Sequence, residues 1–350
     1  MRCVVIGAGY AGTGQALAMQ HCGVEVVCIC ARNSTHLSAK AQELKIKNWS
    51  TDWRQAVTDH RPDIVCLATS ASLREEVVEL CASLGIHVYC DKPLATTALA
   101  AEKLTKIAQN IKTAYAATRR YDPTVLHLAS LIQSGDFGEV RKAEYRLSAC
   151  LAAPIPFFWA LRLDQGGGIL NNHFPHVLSI LERVFDGKTS RAAGRANFEI
   201  REAPEITSIH DYRQVNQLID ELESGGHKSA PMKSCDADTS YRATLTIETR
   251  QGEIEVDVTS SPTVPPDEQG LTIFGSKGTL FARGSNSFEI DGHPTPKEFD
   301  LPIVDGSLAD RYAALARDFI KDIEGQPFEP YLTFDDGCRF QQLIEAIRGF

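Results

Sequence analysis

At 350 residues the chain exceeds what one hydrophobic core usually holds, so two domains are expected. A net charge of −9 argues against a nucleic-acid binder, which would show a basic stripe. No apolar run reaches the roughly 20 residues of a membrane span. The ten cysteines are scattered, and no pair has the CxxC spacing of a zinc or redox site. They read as buried small hydrophobes in a reducing compartment. With no secretory-type apolar segment before the first strand, a cytoplasmic location is expected.

The first third alternates short apolar runs with helical stripes. Residues 3–6 form an apolar strand that ends in Gly7-Ala8-Gly9-Tyr10-Ala11-Gly12, and a helical stretch follows to about Cys22. Further strands are predicted over residues 24–30, 63–69, 87–90 and 113–118. Between them, Leu37, Ala41 and Leu44 recur at helical spacing, as do Leu73, Val77, Leu80, Cys81 and Leu84, and another helix is expected over 97–109. Strands apolar on both faces and separated by helices predict an α/β Rossmann domain with a doubly wound parallel sheet.

The glycine loop lies between a strand and a helix, the context that makes a GxGxxG pattern informative. Gly7 suits a tight turn, Gly9 a close approach to a pyrophosphate, and Gly12 close packing of helix on strand. The helix N-terminus then offers free N–H groups, with Tyr10 and Ala11 at its start, and Thr69 ends a neighbouring strand. At the end of the second strand, an acid would bind the 2′-hydroxyl of NAD. Here the chain reads Arg32-Asn33-Ser34. Arg32 can pair with a 2′-phosphate, so NADP is favoured over NAD.

After Pro123 a helix carries Val125, Leu128, Ala129 and Ile132, and Gly135 ends it. From Val140 the period changes to two: Ala143, Tyr145, Leu147 and Ala149 alternate with Lys142, Glu144, Arg146 and Ser148. The same alternation recurs over 243–248 and 253–258, with shorter candidates at 271–274, 279–282 and 287–290. One wet and one apolar face predict an α+β domain with a large, mainly antiparallel open sheet. Residues 202–234 read as polar and irregular, with a short helix near 214–222. Ser307-x-x-Asp310 and Thr333-x-x-Asp336 open two late helices. One boundary is expected, dividing a dinucleotide-binding domain (1–121) from a substrate-binding and oligomerisation domain (122–350).

Two segments concentrate reactive side chains. Asp91-Lys92-Pro93 follows a strand directly and so falls at the carboxyl end of the parallel sheet, where ligands of such folds bind. Lys92 there can donate to a substrate oxygen, although a surface lysine at a strand end would read the same. The second segment is the run Gly166-Gly167-Gly168 leading to Asn172, His173 and His176. Asn172 and His176 are four apart and would share a face of a helical turn. A histidine titrates near neutral pH and can take a hydroxyl proton. His173 and His176 alone make a poor metal site, and no metal is expected. Trp159, Arg162 and Asp164, just before the glycines, are further candidates for substrate contact.

Together these motifs resemble the glucose–fructose oxidoreductase/inositol dehydrogenase (Gfo/Idh/MocA) family over nearly the full length. The carrying residues are the loop 7–12, Asp91-Lys92-Pro93-Leu94, Arg120-Tyr121-Asp122-Pro123, Gly138-Glu139-Val140, and the triple glycine followed by His176. The resemblance implies an NAD(P)-dependent oxidoreductase acting on a sugar, cyclitol or glycoside, with a cleft between two domains and a sheet that forms a homodimer or homotetramer. It implies that Lys92 touches cofactor and substrate, preceding a cis proline, and that His176 is the general base in oxidation. Arg120, Trp159, Arg162, Asn172 and His173 would complete the substrate site. Three departures stand out: Asp91 replaces the usual Glu, Asn172 replaces the usual Asp and cannot accept a proton, and Phe174 replaces the usual glycine two residues before the histidine. Two other functions fit the same frame, a cofactor-retaining glycoside-cleaving or eliminating enzyme and a non-catalytic NADP sensor.

Overall fold

The computed structural model describes residues 1–206, 213–284, 288–290, 299–304 and 308–349. The chain begins with β1 (Arg2–Ile6), α1 (Tyr10–His21), β2 (Glu25–Cys30), α2 (Ser34–Glu43), β3 (Asn48–Ser50), α3 (Trp53–His60), β4 (Ile64–Leu67), α4 (Arg74–Leu84), β5 (His87–Asp91), α5 (Ala98–Ile107) and β6 (Thr113–Ala116). The six strands form one parallel sheet in the order β3-β2-β1-β4-β5-β6. This is the doubly wound order of dinucleotide-binding domains, with its reversal between β1 and β4. The apolar runs explain it: every residue of β4, and Cys3 through Ile6 of β1, is buried, as strands covered by helices on both faces must be. The short edge strand β3 and the helix α3 escaped the sequence pattern. Trp49 on β3 is exposed, so the strand carries no apolar alternation.

The chain then folds α6 (Pro123–Gln133), β7 (Val140–Leu147), α7 (Ile169–Asn172), α8 (Phe174–Phe185), β8 (Gly187–Asn197), β9 (Glu202–Pro204), α9 (Arg213–Glu223), β10 (Met232–Ser234), β11 (Ser240–Thr249), β12 (Gly252–Ser260), β13 (Gly270–Gly275), β14 (Gly278–Arg283) and β15 (Glu289–Ile290). Seven strands make an open sheet in the order β15-β14-β13-β7-β12-β11-β8, antiparallel throughout except for the parallel pair β7–β12. Its inner face buries Tyr145, Leu147, Leu245, Ile247, Val256, Val258, Leu271 and Ile273. A fully buried side chain of this size contributes about 1.5–3 kcal/mol. Edge strand β8 was not legible in sequence, because only Thr189 and Ala192 of its eleven residues are buried. Within 202–234, β9 and β10 pair as a small ribbon, and α9 occupies the stretch where a short helix was expected. Buried Val215 of α9 joins Ala203 and Cys235 in one cluster with Leu151, Ile155, Phe158 and Leu161.

Two helices close the chain, α10 (Leu308–Ile323) and α11 (Phe334–Arg348). At the start of α11 the Thr333 N–H donates to Asp336 Oδ2 at 3.1 Å, one half of the expected capping box. Ser307, the cap expected for α10, lies outside the described residues. Two compact units result: Met1–Thr118 with Asp300–Gln341, and Arg119–Phe299 with Gln342–Phe350. The sequence suggested a single boundary near residue 121, whereas the chain returns to the first unit. Tyr312 and Phe319 of α10 account for that return. The Tyr89 hydroxyl donates to the Tyr312 carbonyl at 3.0 Å, and the Tyr89 and Phe319 rings meet edge-on at 6.0 Å.

None of the described helices is long and apolar enough to cross a membrane. The cysteines are free thiols. Burial pushes the Cys81 thiol up to about 12, as expected of an inert, packed sulfhydryl.

Candidate active site

In the first unit the glycine loop joins β1 to α1. A Cβ at Gly12 would lie 1.8 Å from the Gly7 carbonyl oxygen, so no larger residue fits. A Cβ at Gly9 would meet nothing within 4 Å. The glycine at position 9 therefore serves no packing need of the protein and leaves space in front of the helix. Gly9 caps α1 with no side-chain hydrogen bond, and the first helical bond runs from Thr13 N–H to Gly9 O. No acidic residue stands in the first turn. The N–H groups of the first turn thus face the space that Gly9 leaves, a fit for a pyrophosphate. Tyr10, 49% exposed, and Ala11 flank it.

At the carboxyl end of β2, Arg32, Asn33 and Ser34 are all exposed. Asn33 caps α2, its Oδ1 accepting from the His36 N–H at 3.4 Å. Thr69, half-buried, follows β4. Lys92, also half-buried, follows β5, and its peptide bond to Pro93 is cis. The preceding Asp91 accepts a hydrogen bond from the Tyr312 hydroxyl at 3.0 Å. Nothing in the sequence around Tyr312 points to this contact. An aromatic stripe position carries no sign of where its polar end goes.

In the second unit the glycine run is pinned from several sides. Gly167 N–H donates to the Arg162 carbonyl at 2.8 Å and Gly168 N–H to the Ala160 carbonyl at 2.8 Å. Gly168 has φ +95°, and a Cβ there would lie 2.4 Å from Asp238 Oδ1. Asp238 is fully buried. Its Oδ2 accepts from the Leu170 N–H at 2.8 Å, and its Oδ1 pairs with Arg348 at 2.6 Å. The short helix α7 ends at Asn172, and α8 begins at Phe174 with His173 as the joint. Asn172 and His176 therefore sit on successive helices rather than on one continuous turn. The Asn172 amide donates back to the Gly168 carbonyl at 2.9 Å, a bond a carboxylate could not make. His173 and His176 are both half-buried.

Among the remaining candidates, Arg120 lies in the 3-10 turn Thr118–Tyr121 and is half-buried. Trp159 is 39% exposed, with its ring edge-on to Phe158. Arg162 pairs with Asp164 at 3.1 Å and approaches Asp236 at 3.8 Å. Trp159 and Arg162 thus stand on the segment that α9 and its ribbon pack against. Among the described residues no group of three or more His, Cys, Asp or Glu is placed to hold a metal.

A doubly wound parallel sheet with an uncapped glycine turn, joined to an open mixed sheet, defines a two-domain dinucleotide-binding protein. Residues 1–117 match the oxidoreductase family with an NAD-binding Rossmann fold, and residues 125–281 match the GFO/IDH/MocA C-terminal domain. The chain belongs to the Gfo/Idh/MocA family. It is 24% identical over 348 residues to myo-inositol 2-dehydrogenase of Thermotoga maritima, covering 96% of this chain and 92% of the relative. It is 27% identical over 164 residues to D-xylose dehydrogenase of Paenarthrobacter nicotinovorans, covering 45% of this chain and 42% of the relative, so that match spans less than half of either. In fold it is similar to a levoglucosan dehydrogenase in complex with NADH and L-sorbose, with a TM-score of 0.74, 21% identity, and coverage of 99% and 95% of the two chains. It is similar also to the WlbA dehydrogenase from Bordetella pertussis in complex with NADH and UDP-GlcNAcA (TM-score 0.70, 17% identity, 99% and 95% covered).

Proposed function

We propose that this protein is an NAD(P)-dependent oxidoreductase that interconverts a secondary alcohol and a ketone on a sugar, cyclitol or glycoside. The observation that carries this reading is the opening at Gly9 before a helix with no side-chain cap, in a sheet whose β5 is followed directly by Lys92. Relatives named for xylose, inositol and levoglucosan oxidation support the substrate class.

A bound nicotinamide dinucleotide supplies the hydride acceptor or donor, held at Gly7, Gly9, Tyr10, Ala11, Gly12 and Thr69. Arg32, Asn33 and Ser34 read the adenine ribose. With a guanidinium at that strand end and no acid among the three, NADP is favoured over NAD. Lys92 donates a hydrogen bond to the reacting oxygen, and the His176 imidazole takes the hydroxyl proton in oxidation and returns it in reduction. Asn172 positions the glycine turn and serves as a hydrogen-bonding partner, not as a proton acceptor. Arg120, Trp159, Arg162 and His173 orient the sugar. The second unit's open sheet face, which exposes Arg242, Arg195 and Phe274, associates copies into a dimer or tetramer, and the protein works in the cytoplasm.

The test is a panel of sugars, cyclitols and glycosides assayed with NADP and NAD for absorbance of the reduced nicotinamide. Turnover is expected with at least one polyol. Lys92→Met and His176→Ala should each lower kcat by about 10²–10⁴-fold, and Arg32→Ala should erase the preference for NADP. No turnover with any member of the panel would sink the proposal.

A further inference from the structure

We propose that Arg74 is the positioning residue for Lys92, locking the carboxyl ends of β4 and β5 at a fixed spacing; this rests on the assignment of Lys92 above. Arg74 opens α4 and is only 2% exposed, among the largest fully buried side chains of the protein. Its Nη1 donates to the Asp91 carbonyl at 2.6 Å, and its Nη2 to the Thr69 carbonyl at 3.0 Å and the Lys92 carbonyl at 3.5 Å. One rigid planar fork thus spans the two strand ends that carry a cofactor contact and the reactive ammonium. A lysine in its place has a single donor head and cannot bridge both strands.

The neighbourhood raises the cost of losing this fork. Leu94 and Ala95, just beyond the cis proline, are buried, as is Tyr115 on the neighbouring strand β6. Asp91 is the last residue of β5, and Thr69 and Lys92 lie just beyond β4 and β5, so a side chain takes up carbonyls where strand pairing ends. Arg74 touches neither substrate nor reacting atoms; it acts through the main chain of Lys92. Its position in sequence held a clue: it stands three residues before Val77 and four before Val78, so it shares their buried helix face.

The experiment compares Arg74→Met, Arg74→Lys and Arg74→Ala in the full-length protein. Amide exchange read by mass spectrometry should accelerate in residues 69–73 and 91–97 of each variant and stay unchanged in 113–116. With a polyol substrate, kcat should fall by about 10²-fold, the scale of an ångström-sized misplacement, while the dissociation constant for the cofactor moves less than about threefold. Arg74→Lys should behave as Arg74→Met does, and free guanidinium should restore kcat to Arg74→Ala, which a merely packing role would not allow. Wild-type exchange at residues 91–97 in all three variants overturns the proposal, as does a kcat within about threefold of wild type. Absence of turnover in the wild-type protein would instead defeat the assignment of Lys92, while the exchange comparison would still decide the role of Arg74.

Discussion

The ion pair beneath the glycine turn gives the sharpest energetic test. Arg348, with its side chain 3% exposed, directs Nε and Nη2 to Asp238 Oδ1 at 2.7 and 2.6 Å, and Asp238 is fully buried. Arg348→Met removes the cation and leaves the carboxylate in place with the Leu170 N–H as its remaining support at 2.8 Å. Stranding a buried charge in this way costs about 3–5 kcal/mol. For a unit of this size, about 2–4 °C of Tm accompanies each kcal/mol, so its unfolding should move down by roughly 6–20 °C. Adding Asp238→Asn should return part of that loss, because a neutral amide can still accept from Leu170 at a much smaller burial cost. The pair should therefore show a coupling well above the roughly 0.5 kcal/mol of independent sites. Thermal and denaturant unfolding of the four proteins measures it. A loss below about 1 kcal/mol in Arg348→Met, or additive single and double variants, would refute the claim that this pair anchors the turn before His176.

The glycine loop separates fold from ligand. Gly12→Ala, whose Cβ would fall 1.8 Å from the Gly7 oxygen, should destabilise the first unit in a melting curve. Gly9→Ala has open space and should melt like the wild type, yet weaken NADP(H) about tenfold or more in a fluorescence titration, equivalent to about 1.4 kcal/mol; unchanged affinity would contradict a pyrophosphate at that spot. His87 predicts a pH dependence. Burial, then the Lys112 charge, lowers its pKa from the ordinary 6.5, and its Nδ1 accepts the Lys112 N–H at 3.0 Å. Below about 6.5 the unfolded chain therefore binds the extra proton more readily. The stabilisation is complete above that pH and is lost as the pH falls through it. His87→Gln should flatten this limb of a stability–pH profile, and an unaltered limb would count against it.

Local chemistry made much of this protein legible. Runs of apolar residues on both faces of β1, β2 and β4 announce a covered parallel sheet. Strict alternation in β7, β11 and β12 announces a sheet with one wet face. The glycine loop, Lys92 and His176 could be singled out because their context lies within a few residues of each. Other features depend on partners far along the chain and leave no periodic trace: the buried fork of Arg74, the Tyr312 hydroxyl on Asp91 221 residues away, and the Arg348–Asp238 pair 110 residues apart. Periodicity reports which face of an element avoids water. It says nothing of which buried polar group will meet which, because that choice belongs to elements brought together by folding.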